Sequence, residues 1–264
     1  MIGGVSNEGL LYKNVVELYP FLIDDLGNCS SLLMPETKIS QSPQEIGKMS
    51  LELKRTYFET SKLSTKQNLY EYLHLLSHRS FWHGIHRVIL ARRKYASVAA
   101  TYCYRFDFDS EFFNQVRIIK CGSEAYGTCH GDDLCYLFYN VMTTGLDINT
   151  NEYKIILRMI AMWYNFALNS DPNCPEIQPT KWEQLHKHPE AYRCLNIGEE
   201  LEFIELPDYN QLKLWDKFYE KVLAIVILTI NVEAVHFIVK ILTSRLRNEP
   251  TLRNLNGIEM QMDQ

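Results

Sequence analysis

Three short motifs are missing from this 264-residue chain, and each absence removes a class of chemistry. No G-x-S-x-G occurs, so no serine sits in the strained strand-to-helix turn that exposes a hydrolase nucleophile; the nearest approach, Gly4-Val5-Ser6-Asn7-Glu8, ends in a carboxylate. No C-x-x-C occurs among the seven cysteines, which argues against zinc ribbons and dithiol redox centres. No H-E-x-x-H accompanies the histidines. Heptads and internal repeats are also lacking, and so is an excess of positive charge: 27 basic against 32 acidic side chains give a net charge of −5, which excludes a strongly basic nucleic-acid binder. At 46% hydrophobic residues the chain has ample material for a core and is not a disordered polymer. The segment MIGGVSNEG has neither a basic n-region nor an apolar h-region, and seven cysteines leave at least one thiol unpaired. Both features point to a reducing, cytoplasmic setting.

One long apolar run stands out. Residues 222–242 carry 14 Val, Leu, Ile or Phe among 21, the length of a membrane span. Insertion would gain roughly 4–8 kcal/mol from those side chains, against about 2.5–3.5 for a central Glu233 and further costs for Asn231, His236 and Lys240. With the sum near zero, and with Thr229, Glu233, His236 and Lys240 on one helical stripe, the run reads as a helix packed on most sides, with membrane association as the alternative.

The rest of the chain alternates between strand and helix patterns. Met1 to Val5 reads as an apolar strand entering a glycine-rich turn. Residues 35–66 are polar, with Pro35 and Pro43 and two short helices expected. Residues 67–94 show helical spacing through Leu69, Tyr72, Leu73, Leu76, Ile85, Val88 and Ile89, as two helices broken near Ser80 and Gly84. Ala96 to Asp109 is rich in Val, Tyr and Phe and reads as a strand, followed by a long connection to Gly127. Residues 152–169 are amphipathic and helical; YRCLNI and LEFIEL read as strands, and residues 208–221 as a closing helix with Leu212, Trp215 and Phe218 inward.

Several side chains could carry chemistry, each with a plainer alternative. His74 and His78, four apart, could share a helix face and bind a metal, although such pairs are more often surface or partly buried residues without a ligand. His130, in GTCHGDDLCYLF, could be a base or a satisfied turn histidine; Asp132 and Asp133 after it suit the start of a helix. Cys129 is next to His130, but adjacent side chains usually point apart. Glu8, between Asn7 and Gly9, is by itself an ordinary turn carboxylate.

Taken in order, GVSNEGLLY, FWHGIHR, TYCYRFDFDS, GTCHGDDLCYLFYN, MWYNFALNSDPNCP with the following Trp182, and YRCLNIGEELEFIEL resemble landmarks of the type B carboxylesterases, the cholinesterase-like branch of the α/β hydrolases, and within it the insect α-esterases. The resemblance covers about residues 1–220. It implies an α/β fold: the C-terminal portion of an α/β hydrolase, over residues 1–221, missing the nucleophile-bearing N-terminal half and most of the central sheet. Residues 222–264, a hydrophobic helix and a polar tail, lie outside it. The family's triad acid falls on Glu8 and its triad histidine on His130, in the chain order serine, acid, histidine. The serine and the glycine-rich oxyanion loop would then precede residue 1.

The resemblance implies carboxylic esters as substrates once the missing half is supplied, with no nucleic acid, metal or organic cofactor called for. It also implies that this chain is inactive alone, and that one edge of its sheet is open and prone to association. The aromatic residues Phe81, Trp82, Tyr126 and Phe138 are compatible with an apolar pocket and equally with a core. A catalytically dead, esterase-like binding module is the alternative function. An unrelated hydrolase using Ser6 or Cys129 with His130 is a further one.

Overall fold

The computed structural model describes residues 1–27, 29–39, 41–58, 62–96, 99–185 and 191–220. The chain divides into two units, Met1–Asp216 and Lys217–Gln264. Of the second, only 217–220 are described, as helix. The apolar run 222–242 therefore lies outside the described residues. Among those described, no helix is long and apolar enough to cross a membrane.

The first unit is built on a four-stranded sheet in the order β1 (Ile2–Val5), β2 (Cys103–Phe106), β3 (Arg193–Ile197), β4 (Leu201–Glu205). β1 and β2 are parallel, with Ile2 opposite Cys103; β2 and β3 are parallel, with Tyr104 opposite Leu195; β3 and β4 form an antiparallel hairpin. Among the described residues the α-helices around it include α1 (Lys13–Leu18), α2 (Phe21–Asp24), α3 (Pro43–Tyr57), α4 (Thr65–Ser77), α5 (His83–Tyr95), α6 (Gln115–Cys121) and α7 (Asn151–Asn169). Residues 209–216 close the unit as a helix.

Strand alternation sends side chains to two cores. Val5, Phe106, Leu195 and Ile197 meet Ile155, Met159 and Met162 of α7, together with Phe113, Tyr136 and Trp182. Cys103 and Cys194 face the other way, into a second cluster with Trp82, Ile89, Tyr192, Leu206 and Leu212. Helices thus cover both faces of a largely parallel sheet, the layering of an α/β fold.

β1 is an edge strand, and no described strand pairs with its outer side. Its backbone groups alternate in direction. Ile2 and Ser6 donate to Tyr102 and Phe106 of the neighbouring strand segment, whereas Val5 points outward. There its N–H donates to the Glu8 carboxylate and its carbonyl accepts from the Trp82 indole. The outer edge is thus capped at Val5 by two side chains, and the sequence-based expectation of an open edge applies to the glycine end before it.

Four features differ from the sequence pattern. α4 and α5 are not separated by a break: the backbone widens into a π turn over His78–Trp82 and continues, with Gly84 inside α5. No proline interrupts it, and the wide turn carries Trp82 to the Val5 carbonyl at 2.9 Å. β2 is only four residues long, with one further bond to β3 from the Asp107 N–H to the Ile197 carbonyl at 2.8 Å. The connection to Gly127 contains α6, whose seven residues are too few to show a helical period. Of the two helices expected within 35–66, one is a single 3-10 turn at Pro35–Lys38; the other, α3, runs 15 residues from a Ser42 cap that accepts the Glu45 N–H.

Candidate active site

Glu8 enters the site directly from β1. After Val5 the chain turns through Ser6 and Asn7 into a 3-10 helix, Glu8–Tyr12. Gly9 has no room for a side chain: a Cβ there would lie 2.0 Å from the Leu73 carbonyl oxygen, and its N–H donates to Ser77 Oγ at 2.8 Å, which seats this helix on α4. Gly4 leaves space for the carboxylate, since a Cβ at that position would lie 2.5 Å from Glu8 Oε1. Glu8 is buried, its side chain 6% exposed. Its Oε1 accepts the Val5 N–H at 2.9 Å, and its Oε2 accepts from His130 Nδ1 at 2.6 Å. Burial pushes this carboxyl above the usual range, against the opposing pull of the Val5 and His130 hydrogen bonds.

His130 arrives on a loop fixed from several sides. Gly127, at φ +96°, donates its N–H to Asp109 Oδ2 at 2.6 Å, and a Cβ on it would collide with the Asn7 side chain. Thr128 is fully buried; its hydroxyl accepts the Ser6 N–H and bonds both Ser6 Oγ, at 2.6 Å, and the Phe106 carbonyl, so one side chain joins this loop to the ends of β1 and β2. Beyond His130, Gly131 takes φ +89° and the chain enters a short 3-10 helix, Asp132–Tyr136, rather than an α-helix.

Asp132 does not cap that helix. Its carboxylate accepts three backbone N–H groups, from Cys129 at 2.7 Å, Val116 at 3.0 Å and Arg117 at 3.2 Å, and so fastens the histidine loop to the start of α6. Burial pushes it up to about 6 from 3.8, with those three N–H groups pulling the other way. Asp133 instead accepts the Tyr104 hydroxyl at 3.2 Å.

Asp132→Ala is therefore expected to destabilise the fold by about 3 kcal/mol at pH 8 in urea unfolding, since three N–H groups lose their acceptor. Because the folded-state pKa lies above the unfolded one, the native Asp132 contributes more stability as pH falls from 6 towards 4. The loss should accordingly be about 1 kcal/mol larger at pH 5 than at pH 8. A loss under about 1 kcal/mol at both values would contradict this account of the loop.

At the junction, the His130 side chain is 50% exposed and its ring lies against Phe81, centroids 4.7 Å apart. Nδ1 meets Glu8, and Nε2 has no hydrogen-bond partner among the described residues. A carboxylate only accepts, so in the neutral imidazole this contact favours the tautomer with its proton on Nδ1 and a lone pair on Nε2. The pair is a half-exposed imidazole oriented by a buried carboxylate.

The alternative nucleophiles lie elsewhere. Ser6 is buried and bonded to Thr128. Cys129 is buried, with Sγ 3.9 Å from Cys121 Sγ; that thiol, together with burial, pushes Cys129 away from the thiolate. Of the four aromatics singled out, Phe81 lies at His130, Trp82 is buried and bonded to Val5, Tyr126 stacks on Tyr70 at 4.3 Å, and Phe138 is exposed. His83 and His86 both contact Asp216, at 3.0 and 2.9 Å. His74 and His78 share one face, as their spacing suggested, and meet Asp208. These three could hold a metal ion.

The fold agrees with the comparisons to known proteins. Residues 1–215 match the model of the Carboxylesterase family, and the chain belongs to that family of α/β hydrolases. It is 36% identical over 226 residues to Esterase B1 of Culex pipiens, covering 83% of this chain and 40% of that protein, and 24% identical over 213 residues to the juvenile hormone esterase of Tribolium castaneum, covering 75% and 35%. Among solved structures, juvenile hormone esterase of Manduca sexta, crystallised with OTFP covalently attached, superposes with a TM-score of 0.63 at 17% identity, over 83% of this chain and 40% of that one. The chain thus spans about two-fifths of the length of these relatives, and its sheet is part of an α/β-hydrolase sheet.

Proposed function

We propose that this chain supplies the acid and the base of a Ser-Glu-His ester hydrolase, with His130 as the proton-transferring catalytic residue and Glu8 as the group that positions it. The nucleophilic serine and the oxyanion donors belong, in this reading, to polypeptide outside these 264 residues. The observation that carries it is the buried Glu8 carboxylate bonded at 2.6 Å to Nδ1 of a half-exposed imidazole whose Nε2 has no hydrogen-bond partner among the described residues.

With Nδ1–H held by Glu8, Nε2 takes the proton of the serine hydroxyl as it attacks the ester carbonyl. Glu8 stabilises the imidazolium so formed, which then protonates the departing alcohol. Water repeats the sequence to release the acid. The substrates are carboxylic esters, supported by family membership and by the names of the esterase relatives. Residues 1–221 form the partial hydrolase domain and 222–264 a segment outside it. Seven cysteines without a disulfide support a cytoplasmic setting.

Glu8→Gln tests the pair in a polypeptide that includes the serine. The Gln amide oxygen can accept the Val5 N–H, which turns its NH₂ towards His130 Nδ1 and favours the tautomer with Nε2 protonated. The expected result is a kcat lower by about 10³–10⁴ with KM within a few-fold. A loss under tenfold would overturn the assignment of Glu8.

A further inference from the structure

The His74, His78 and Asp208 cluster has a geometry that a set of hydrogen bonds does not account for. His74 and His78 are one helical turn apart near the C-terminal end of α4 and at the first position of the π turn, with ring centroids 4.4 Å apart. Asp208, which stands just before the helix at 209–216, reaches both: His74 Nε2 lies 3.4 Å from one carboxylate oxygen and His78 Nε2 lies 3.4 Å from the other. Those separations exceed the 2.7–3.2 Å of a good N–H···O bond. Ligand atoms on a metal bonded at about 2.0–2.1 Å lie about 3.3–3.4 Å apart, and the Asp208 carboxylate has an oxygen at that distance from each imidazole, a different oxygen for each. Each residue offers a ligand atom within 4.8 Å of the other two.

The surroundings orient the ligands. His78 is 1% exposed, and its Nδ1 lies 2.7 Å from Tyr57 Oη, which in turn accepts the Trp215 indole N–H at 2.9 Å. When Nε2 is given to a metal, the His78 proton rests on Nδ1 and donates to Tyr57, the outer contact that fixes the ring of a metal-bound histidine. Tyr57 also packs edge-on against His74, at 6.0 Å. His74 and Asp208, 36% and 24% exposed, leave the cluster accessible to an ion from solvent and leave room for a water as fourth ligand.

We propose that His74, His78 and Asp208 form a zinc site with three protein ligands and one open position, joining α4 to the start of the helix at 209–216. Two imidazoles and a carboxylate suit zinc among the available divalent ions, whereas magnesium and calcium prefer oxygen ligands. The site is independent of Glu8 and His130 and shares no residue with them. Binding to the folded chain but not to the unfolded one makes stability depend on zinc concentration.

The test uses the full 264-residue chain and Zn²⁺ alone, with equilibrium dialysis read by elemental analysis. The expected result is one zinc per chain, in whatever association state the chain adopts, and a melting temperature that rises with zinc concentration. His74→Ala and Asp208→Asn should each weaken binding by about 100-fold or more, and His83→Ala should leave it unchanged. Co²⁺ in place of zinc should give the intense visible absorption of a four-coordinate site, lost in His74→Ala. His74 is partly exposed, so its truncation leaves the core intact. No zinc retained, zinc binding indifferent to both ligand variants, or loss of binding in His83→Ala would each overturn the proposal.

Discussion

His130→Ala, made in a polypeptide that carries the nucleophile segment, is expected to lower kcat on the order of 10⁶-fold. In a triad the histidine and the serine act as one unit, so removing the base costs as much as removing the nucleophile. The structure makes the effect separable from folding. The ring is half exposed, it is bonded to Glu8 and it packs on Phe81 at 4.7 Å. Losing a ring contact of that kind costs about 0.5–1.5 kcal/mol, a few degrees in melting temperature for a chain of this size. Steady-state kinetics beside thermal unfolding would therefore show a collapse in turnover with a small change in stability. A variant retaining more than about a hundredth of the activity would remove His130 from the mechanism.

Some of this was legible in the sequence. The strands at Met1 to Val5, YRCLNI and LEFIEL, and the helix over 152–169, follow from apolar periodicity and turn residues, and the structure has them in place. Glu8 and His130 could not be selected by local pattern, because a carboxylate after Asn7 and a histidine in a glycine turn are ordinary surface residues. They stood out only through the ordered series of landmarks along the chain. What joins them across 122 residues is tertiary: parallel pairing of β1 with β2 and the Thr128 hydroxyl between them.

Other features left no local trace. Asp132 has the sequence context of a helix cap and is instead a clamp on three N–H groups, that of nearby Cys129 and those of Val116 and Arg117 in α6. The partner that turns the His74 and His78 pair into a three-ligand cluster is Asp208, 130 residues beyond His78. Short elements such as α6 and the π turn depend on packing against their neighbours, and periodicity does not report them.

The second large effect concerns the chain by itself. The purified 264 residues are expected to hydrolyse a simple ester such as p-nitrophenyl acetate no faster than the same chain denatured. Loss of a triad nucleophile costs on the order of 10⁶ in turnover, and loss of oxyanion donors roughly 10²–10³ more. No G-x-S-x-G occurs in the sequence, and of the two alternative nucleophiles Ser6 is buried against Thr128 and Cys129 lies against Cys121. An acid and an oriented base without a nucleophile can bind an ester without forming an acyl-enzyme. Purely surface-mediated function, as an esterase-like module without turnover, is the outcome left standing if no larger active product exists.

In the proposed mechanism Glu8 and His130 serve a serine carried by polypeptide beyond this sequence. The most direct measurement is fluorophosphonate labelling of the native source, followed by immunoprecipitation with antibody to this chain and comparison with the purified chain. The prediction is a labelled band well above 31.0 kDa in the native source and no label on the purified chain. Stoichiometric label on the 31.0 kDa chain itself, or an unlabelled 31.0 kDa band as the only product, would contradict it.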